Sequence, residues 1–201
     1  SDLGGRGISS VTPSMASVRG GTTVTVSMYG RMQGEAGTVS CHFGTAVVAG
    51  EVRGDSSVVC VSPKTRSRST VELRVSEGSL GAFLVGSLKF EYLEELRIAG
   101  VRPSTGTLGR GTAVSVMLSG GISSASGLQC RFGAYVVTGD GVRMMSSSLV
   151  TCLAPVLREA EEVTVDVSAN GGADFTNSGV EFMFEAAATV EAVIPSQGPG
   201  G

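Results

Sequence analysis

Cys41-His42-Phe43-Gly44 sets a cysteine beside the only histidine of the chain. A thiol and an imidazole so placed can serve as metal ligands or as an imidazole-activated nucleophile, or the cysteine can simply belong to a disulfide. The chain repeats the stretch as Cys130-Arg131-Phe132-Gly133, with arginine where the histidine stood. Arginine stays protonated and can neither ligate a metal nor take up a proton. No second histidine exists to complete a site. The adjacency is therefore read as structural, and no catalytic residue, metal ligand or cofactor is expected.

The other chemically suggestive stretches are local. Arg53-Gly54-Asp55 spells the tripeptide that integrins read in adhesive proteins, and it falls between predicted strands. It has no counterpart in the second repeat, where Arg143-Met144-Met145 stands nearby. The basic stretch Lys64–Arg68 reads as a solvated loop, because a nucleic-acid binder shows a longer basic stripe. Asp140, Asp166 and Asp174 are scattered, and Glu159, Glu161 and Glu162 form a charged run, so no calcium loop is expected. Asn170 and Asn177 lie in no Asn-x-Ser/Thr sequon, which leaves O-linked sugars on Ser/Thr-rich loops as the glycosylation expected. Nothing resembles a Gly-x-Ser-x-Gly nucleophile elbow.

The elements that carry these residues occur twice. Val11-Thr12-Pro13-Ser14 recurs as Val101-Arg102-Pro103-Ser104, and again as Val193-Ile194-Pro195-Ser196. Arg19–Gly30 recurs as Gly109–Gly120, Cys41–Gly50 as Cys130–Gly139, and Val71–Gly78 as Val163–Asn170. Six blocks recur in order at an offset of about 90 residues, the sign of tandem units. Within the blocks apolar residues alternate with polar ones, the period of a half-buried strand. Val24, Val26 and Met28 oppose Thr23, Thr25 and Ser27; Val163, Val165 and Val167 oppose Thr164 and Asp166. About seven short strands per unit, punctuated by glycine turns (Gly34 and Gly54 among them), predict an all-β fold: tandem immunoglobulin-like antiparallel β-sandwiches. Arg158–Glu162 reads as a charged loop.

The same alternation places the cysteines. Val39, Cys41 and Phe43 share one face, as do Leu128, Cys130 and Phe132, and the histidine position points the other way. One disulfide per unit, Cys41–Cys60 and Cys130–Cys152, is the favoured reading; buried free thiols in a reducing compartment are the alternative. Closing a loop of this size stabilises a small domain by about 3 kcal/mol in the chain-entropy account, and disulfides place a protein outside the cytosol.

Composition agrees with small, aliphatic cores. The 201 residues are 41% hydrophobic but only 5% aromatic, with no tryptophan, and the net charge is −3. No stretch is long and apolar enough for a membrane helix, so no direct membrane insertion is expected in this segment, and no nucleic-acid partner. The start, Ser1–Gly7, lacks a signal-peptide pattern, and the sequence reads as a piece of a longer chain. The expected organisation is a leader or the end of a preceding segment at 1–7, a first domain at 8–92, a short linker at 93–97, a second domain at 98–186, and a linker with the start of a third repeat at 187–201. A linker of Leu93–Arg97 without Gly or Pro favours a semi-rigid rod.

Together the blocks resemble the IPT/TIG family of immunoglobulin-like domains. The first unit carries the pattern at Val11–Pro13, Gly20–Thr22, Cys41–Gly44, Cys60–Pro63 and Phe90–Tyr92. The second carries it at Val101–Pro103, Gly111–Thr112, Cys130–Gly133, Cys152–Pro155 and Phe182–Phe184, with Phe184 replacing the closing tyrosine. The resemblance implies no catalytic residues, so the chain is expected not to be an enzyme. It implies spacer and adhesion modules such as those of plexin-type ectodomains and of many surface proteins.

The expected role is thus a non-enzymatic structural or adhesion array of a surface protein or extracellular filament. Its partners would be other domains of the same array, a protein at the cell surface, or copies of itself. Two alternatives stand beside it: a receptor ectodomain that binds a protein ligand, and a carbohydrate-binding accessory region of a secreted enzyme. Sugar platforms use exposed aromatics, for which Tyr29 and Tyr135 are the candidates.

Overall fold

In the first unit the strands are β1 (Gly7–Thr12), β2 (Met15–Ser17), β3 (Thr23–Tyr29), β4 (Val39–Phe43), β5 (Ala46–Arg53), β6 (Ser57–Val61), β7 (Ser69–Glu77), β8 (Ala82–Phe83) and β9 (Leu88–Leu93). The second repeats them as β10 (Arg97–Arg102), β11 (Thr105–Thr107), β12 (Ala113–Ser119), β13 (Gln129–Phe132), β14 (Tyr135–Val137), β15 (Val142–Ser146), β16 (Leu149–Leu153), β17 (Glu161–Ser168) and β18 (Glu181–Glu185). The computed structural model describes residues 5–30, 38–78 and 80–189. The start of the leader, the turn at Gly34 and the third-repeat start at Val193–Ser196 lie outside the described residues.

Each unit is a sandwich of two mainly antiparallel layers. In the first the pairing runs β1-β3-β6-β5-β4-β7-β9-β2. In the second, β10-β12-β16-β15 forms one layer and β11-β18-β17-β13-β14 the other. Among the described residues each unit has nine strands rather than about seven, and proline explains part of the excess. Pro13 and Pro103 have no N–H to donate to a ladder, and at each the opening strand breaks in two. β1 pairs with β3 in one layer, while β2 pairs with β9 in the other; β10 and β11 divide in the same way.

The period-two pattern is realised as predicted: Val24, Val26 and Met28 are buried, and Thr25 and Ser27 lie between them on the outer face. Phe90 packs edge-on against Phe43 and Tyr92 in the first core, with ring centroids 5.0 and 5.4 Å apart. Phe132, Phe182 and Phe184 make the equivalent cluster in the second.

β5 belongs to both layers of its unit. Its first half pairs with β4 and its second half with β6, and Gly50 is partnered with Val39 and Cys60 at once. A Cβ at Gly50 would lie 2.7 Å from a methyl of Val58 and 3.2 Å from the sulfur of Cys60. Only glycine lets the strand cross so close to the disulfide. In the second unit the crossing is broken by a 3-10 turn, Gly139–Gly141, between β14 and β15.

β9 runs through Leu93 and β10 begins at Arg97, leaving Glu94–Leu96 between them. Glu161 and Glu162 open β17 instead of closing a charged loop, because they pair with Phe184 and Met183 of β18.

Candidate functional site

Cys41 on β4 is bonded to Cys60 on β6, and Cys130 on β13 to Cys152 on β16, with Cα atoms 6.5 and 6.1 Å apart. Each bridge ties one layer to the other in the middle of its core, where all four cysteines are fully buried. No cysteine is free. Among the described residues no group of three or more His, Cys, Asp or Glu side chains converges in a way that could hold a metal ion.

His42 points away from Cys41, onto the outer face of its sheet. It is half-buried there, with Nε2 2.8 Å from the Ser76 hydroxyl and its ring 4.7 Å from Phe83. The Arg74 guanidinium covers the same phenylalanine at 3.9 Å. The second unit keeps a cation on an aromatic ring but moves it to the other strand. Arg131, at the position of His42, lies 4.2 Å over Phe175 and donates to Asp166 at 2.9 Å. Asp166, at the position of Arg74, is buried and also accepts from the Thr176 hydroxyl. Sequence reasoning passed over both phenylalanines. The available signal was their matching offset of 92 residues, Phe83 to Phe175.

Arg53, Gly54 and Asp55 occupy the tip of the β5–β6 hairpin, and all three are exposed. Gly54 has φ +62, a left-handed turn position with open space around it. The Ser57 hydroxyl donates to the Arg53 carbonyl at 2.6 Å, and the Arg53 guanidinium pairs with Glu51 at 3.0 Å. Tyr29 and Tyr135 are 48% and 43% exposed but sit in different units, so they form no common platform.

A more elaborate set of polar contacts lies between the units. Thr22, 1% exposed and just ahead of β3 in the first unit, donates its hydroxyl to Asp174 Oδ2 at 2.5 Å. Asn170 Nδ2 donates to the same oxygen at 2.8 Å and to the Met15 carbonyl at 3.3 Å. The loop that presents both side chains turns through Gly171 and Gly172 at φ +72 and +83. It is locked internally, since Asn170 Oδ1 accepts from Asp174 N at 3.0 Å and Ser168 Oγ accepts from Gly172 N at 3.0 Å. On one flank, Glu95 of the linker holds Arg19 of the first unit at 2.9 Å and Arg97 of the second at 3.3 Å. On another, Ser123 donates to Glu91 at 3.3 Å. Leu93 ends the last strand of the first unit yet is buried in the core of the second, where Met15 and Leu96 also pack. A cleft of about 560 Å³ opens between the units beside Arg19, Glu95, Asn170, Asp174 and Phe175.

The fold and these contacts define a class: tandem immunoglobulin-like sandwiches, each closed by a buried inter-layer disulfide and joined at a packed junction. The IPT/TIG domain model matches residues 7–92, the first unit, and the second unit repeats the main strand pairings of that match. The extracellular region of plexin A4 aligns with a TM-score of 0.53 at 15% identity, over 90% of this chain and 16% of that one. The fibronectin(III)-like modules of Clostridium thermocellum CbhA align at 0.42 and 10% identity, over 95% of this chain and 100% of that one. A surface glycan-binding protein of Prevotella bryantii aligns at 0.38 and 13% identity, over 89% of this chain and 42% of that one. No curated protein matches the sequence. The chain thus spans about a sixth of the plexin ectodomain, and the likeness concerns the fold.

Proposed function

We propose that the chain is a non-enzymatic spacer of an extracellular array, in which two IPT/TIG modules are held at a fixed angle. The domains would be 8–92 and 98–186, with 187–201 opening a further repeat. The observation that carries this reading is the junction. Thr22, Met15 and Leu93 of the first unit are engaged by Asp174, Asn170 and the core of the second. A flexible tether would need none of these contacts, whereas a strut that sets the distance and angle of whatever it carries needs all of them. Buried disulfides in both units support an oxidising compartment outside the cytosol.

Small-angle scattering with inter-unit dipolar couplings tests the reading. The wild-type chain is expected to fit one arrangement of the units, and Asp174→Ala to need a broader ensemble. A wild type that already needs an ensemble overturns it.

A second reading is carried by the hairpin tip: Arg53-Gly54-Asp55 serves as an adhesion motif for integrin-type receptors. Its support is exposure of all three residues on a tight turn, although Glu51 competes for the arginine. Asp55→Glu keeps the charge and lengthens the side chain, and it is expected to abolish integrin-dependent cell attachment. Unchanged attachment rules the motif out.

A further inference from the structure

The two units share an outward-facing pair of positions, on β4 and β7 in the first and on β13 and β17 in the second, and they fill it differently. In the second unit Arg131 lies directly across from Asp166, and the two charges cancel in an ion pair at 2.9 Å. In the first unit His42 lies directly across from Arg74. A guanidinium there faces an imidazole, and the carboxylate of the other copy is missing.

The charges around the pair do not replace it. Glu72 on β7 is the diagonal neighbour of His42, but it stands directly across from Lys89 of β9. Glu77, at the end of β7, holds Arg6. Toward β5 His42 meets Val47, and toward β8 it meets Phe83. Among the described residues Arg74 has no ion-pair partner.

Both basic side chains are nevertheless held in place. Arg74 is exposed, yet its guanidinium lies over the Phe83 ring at 3.9 Å, which restricts a long side chain before any ligand arrives. His42 is fixed at 2.8 Å by the hydroxyl of Ser76, itself 4% exposed. Phe83 and Val47, 46% and 57% exposed, add apolar surface beside them. A guanidinium is a planar fork that suits a carboxylate. The second unit shows which carboxylate such a place takes, since Arg131 on its own ring, Phe175, is paired with an aspartate side chain.

We propose that His42, Arg74 and Phe83 form a docking site for an acidic segment of a partner protein. An Asp or Glu side chain of that partner supplies from outside the counter-charge that Asp166 supplies within the second unit. The site shares no residue with the junction and is independent of the spacer reading. An exposed contact of this kind is weak and screened by salt, so it is sought at low ionic strength.

Fluorescence anisotropy of a labelled hexaglutamate peptide, titrated with the full chain, tests the site. The imidazole signals of His42, the only histidine, locate the contact by NMR. The wild type is expected to bind hexaglutamate with a shift of those signals, and not to bind hexaglutamine. Arg74→Gln should weaken binding about fivefold with an unchanged thermal unfolding curve. His42→Arg combined with Arg74→Asp rebuilds the internal pair of the second unit, and that chain should fold like the wild type and bind no hexaglutamate. A wild type that does not bind overturns the proposal, as does equal binding by Arg74→Gln. Loss of binding in Arg66→Gln but not in Arg74→Gln overturns it too, by moving the contact to the basic loop at Lys64–Arg68. Tighter binding of an oligogalacturonate of equal charge overturns the protein partner in favour of an acidic polysaccharide.

Discussion

Tyr92 and Phe184 close the last strands of their units at matching positions and are equally buried, yet only Tyr92 carries a hydroxyl. That oxygen has no hydrogen-bond partner in the core, and burial pushes its pKa from 10 up to about 12. A buried donor left unpaired costs the folded state about 1–3 kcal/mol. Tyr92→Phe should therefore stabilise the chain by about 1 kcal/mol in urea unfolding. The linkage has a definite sign. Below pH 10 both states hold the neutral phenol, and between 10 and about 12 the unfolded chain ionises first. Wild-type stability should fall through that window, and Tyr92→Phe should lose this component of the fall. Of all this the sequence showed only that Tyr92 faces inward, because the alternation records which face a side chain takes and not what its far end meets. The same holds for His42 and Arg131. Their outward direction was legible, whereas the rings of Phe83 and Phe175 beside them come from strands distant in the chain.

At the scale of elements, the repeat and the period of two were sufficient for the strands and their inward faces. They did not reveal that β5 serves two layers. Its residues alternate like those of any half-buried strand, and the change of partner at Gly50 follows from the twist and closure of the sandwich. Gly50→Ala tests that geometry. Its Cβ would press on Val58 and the Cys60 sulfur, and the rigid bridge leaves little room to give, so the expected cost is about 1–3 kcal/mol by chemical denaturation. No measurable loss would mean that the strand crosses with more slack. The same element argument explains why strand counts from sequence fell short: a proline break reads as one interrupted strand, although its two halves join opposite layers.

For the whole molecule, the junction combines apolar packing with a few polar bonds, and the two contribute differently. Leu93 is buried in the second core, with Met15 and Leu96 packed against it, and these contacts stay in place when Asp174 is truncated. A hydrogen bond to a charged group contributes about 1.5–3 kcal/mol when well enclosed, and this carboxylate is only partly buried. Asp174→Ala is thus expected to loosen the angle between the units without unfolding either one. The Arg19–Glu95–Arg97 contacts add little, since both guanidinium groups are more than 60% exposed.

By itself the sequence determined the modules. Alternating apolar residues must be buried on one face, two cysteines per unit fall on that face, and recurrence of the blocks at one offset counts the units. These are local or periodic constraints, and one chain records them completely. Tertiary structure alone decided how the modules are joined. Thr22 and Asp174 are 152 positions apart, and the equivalents of Asn170 and Asp174 in the first unit are Gly78 and Ala82. The junction is therefore no feature of the repeat. It exists because two particular ends meet in space, and side chains that meet only there leave no period in the chain to read.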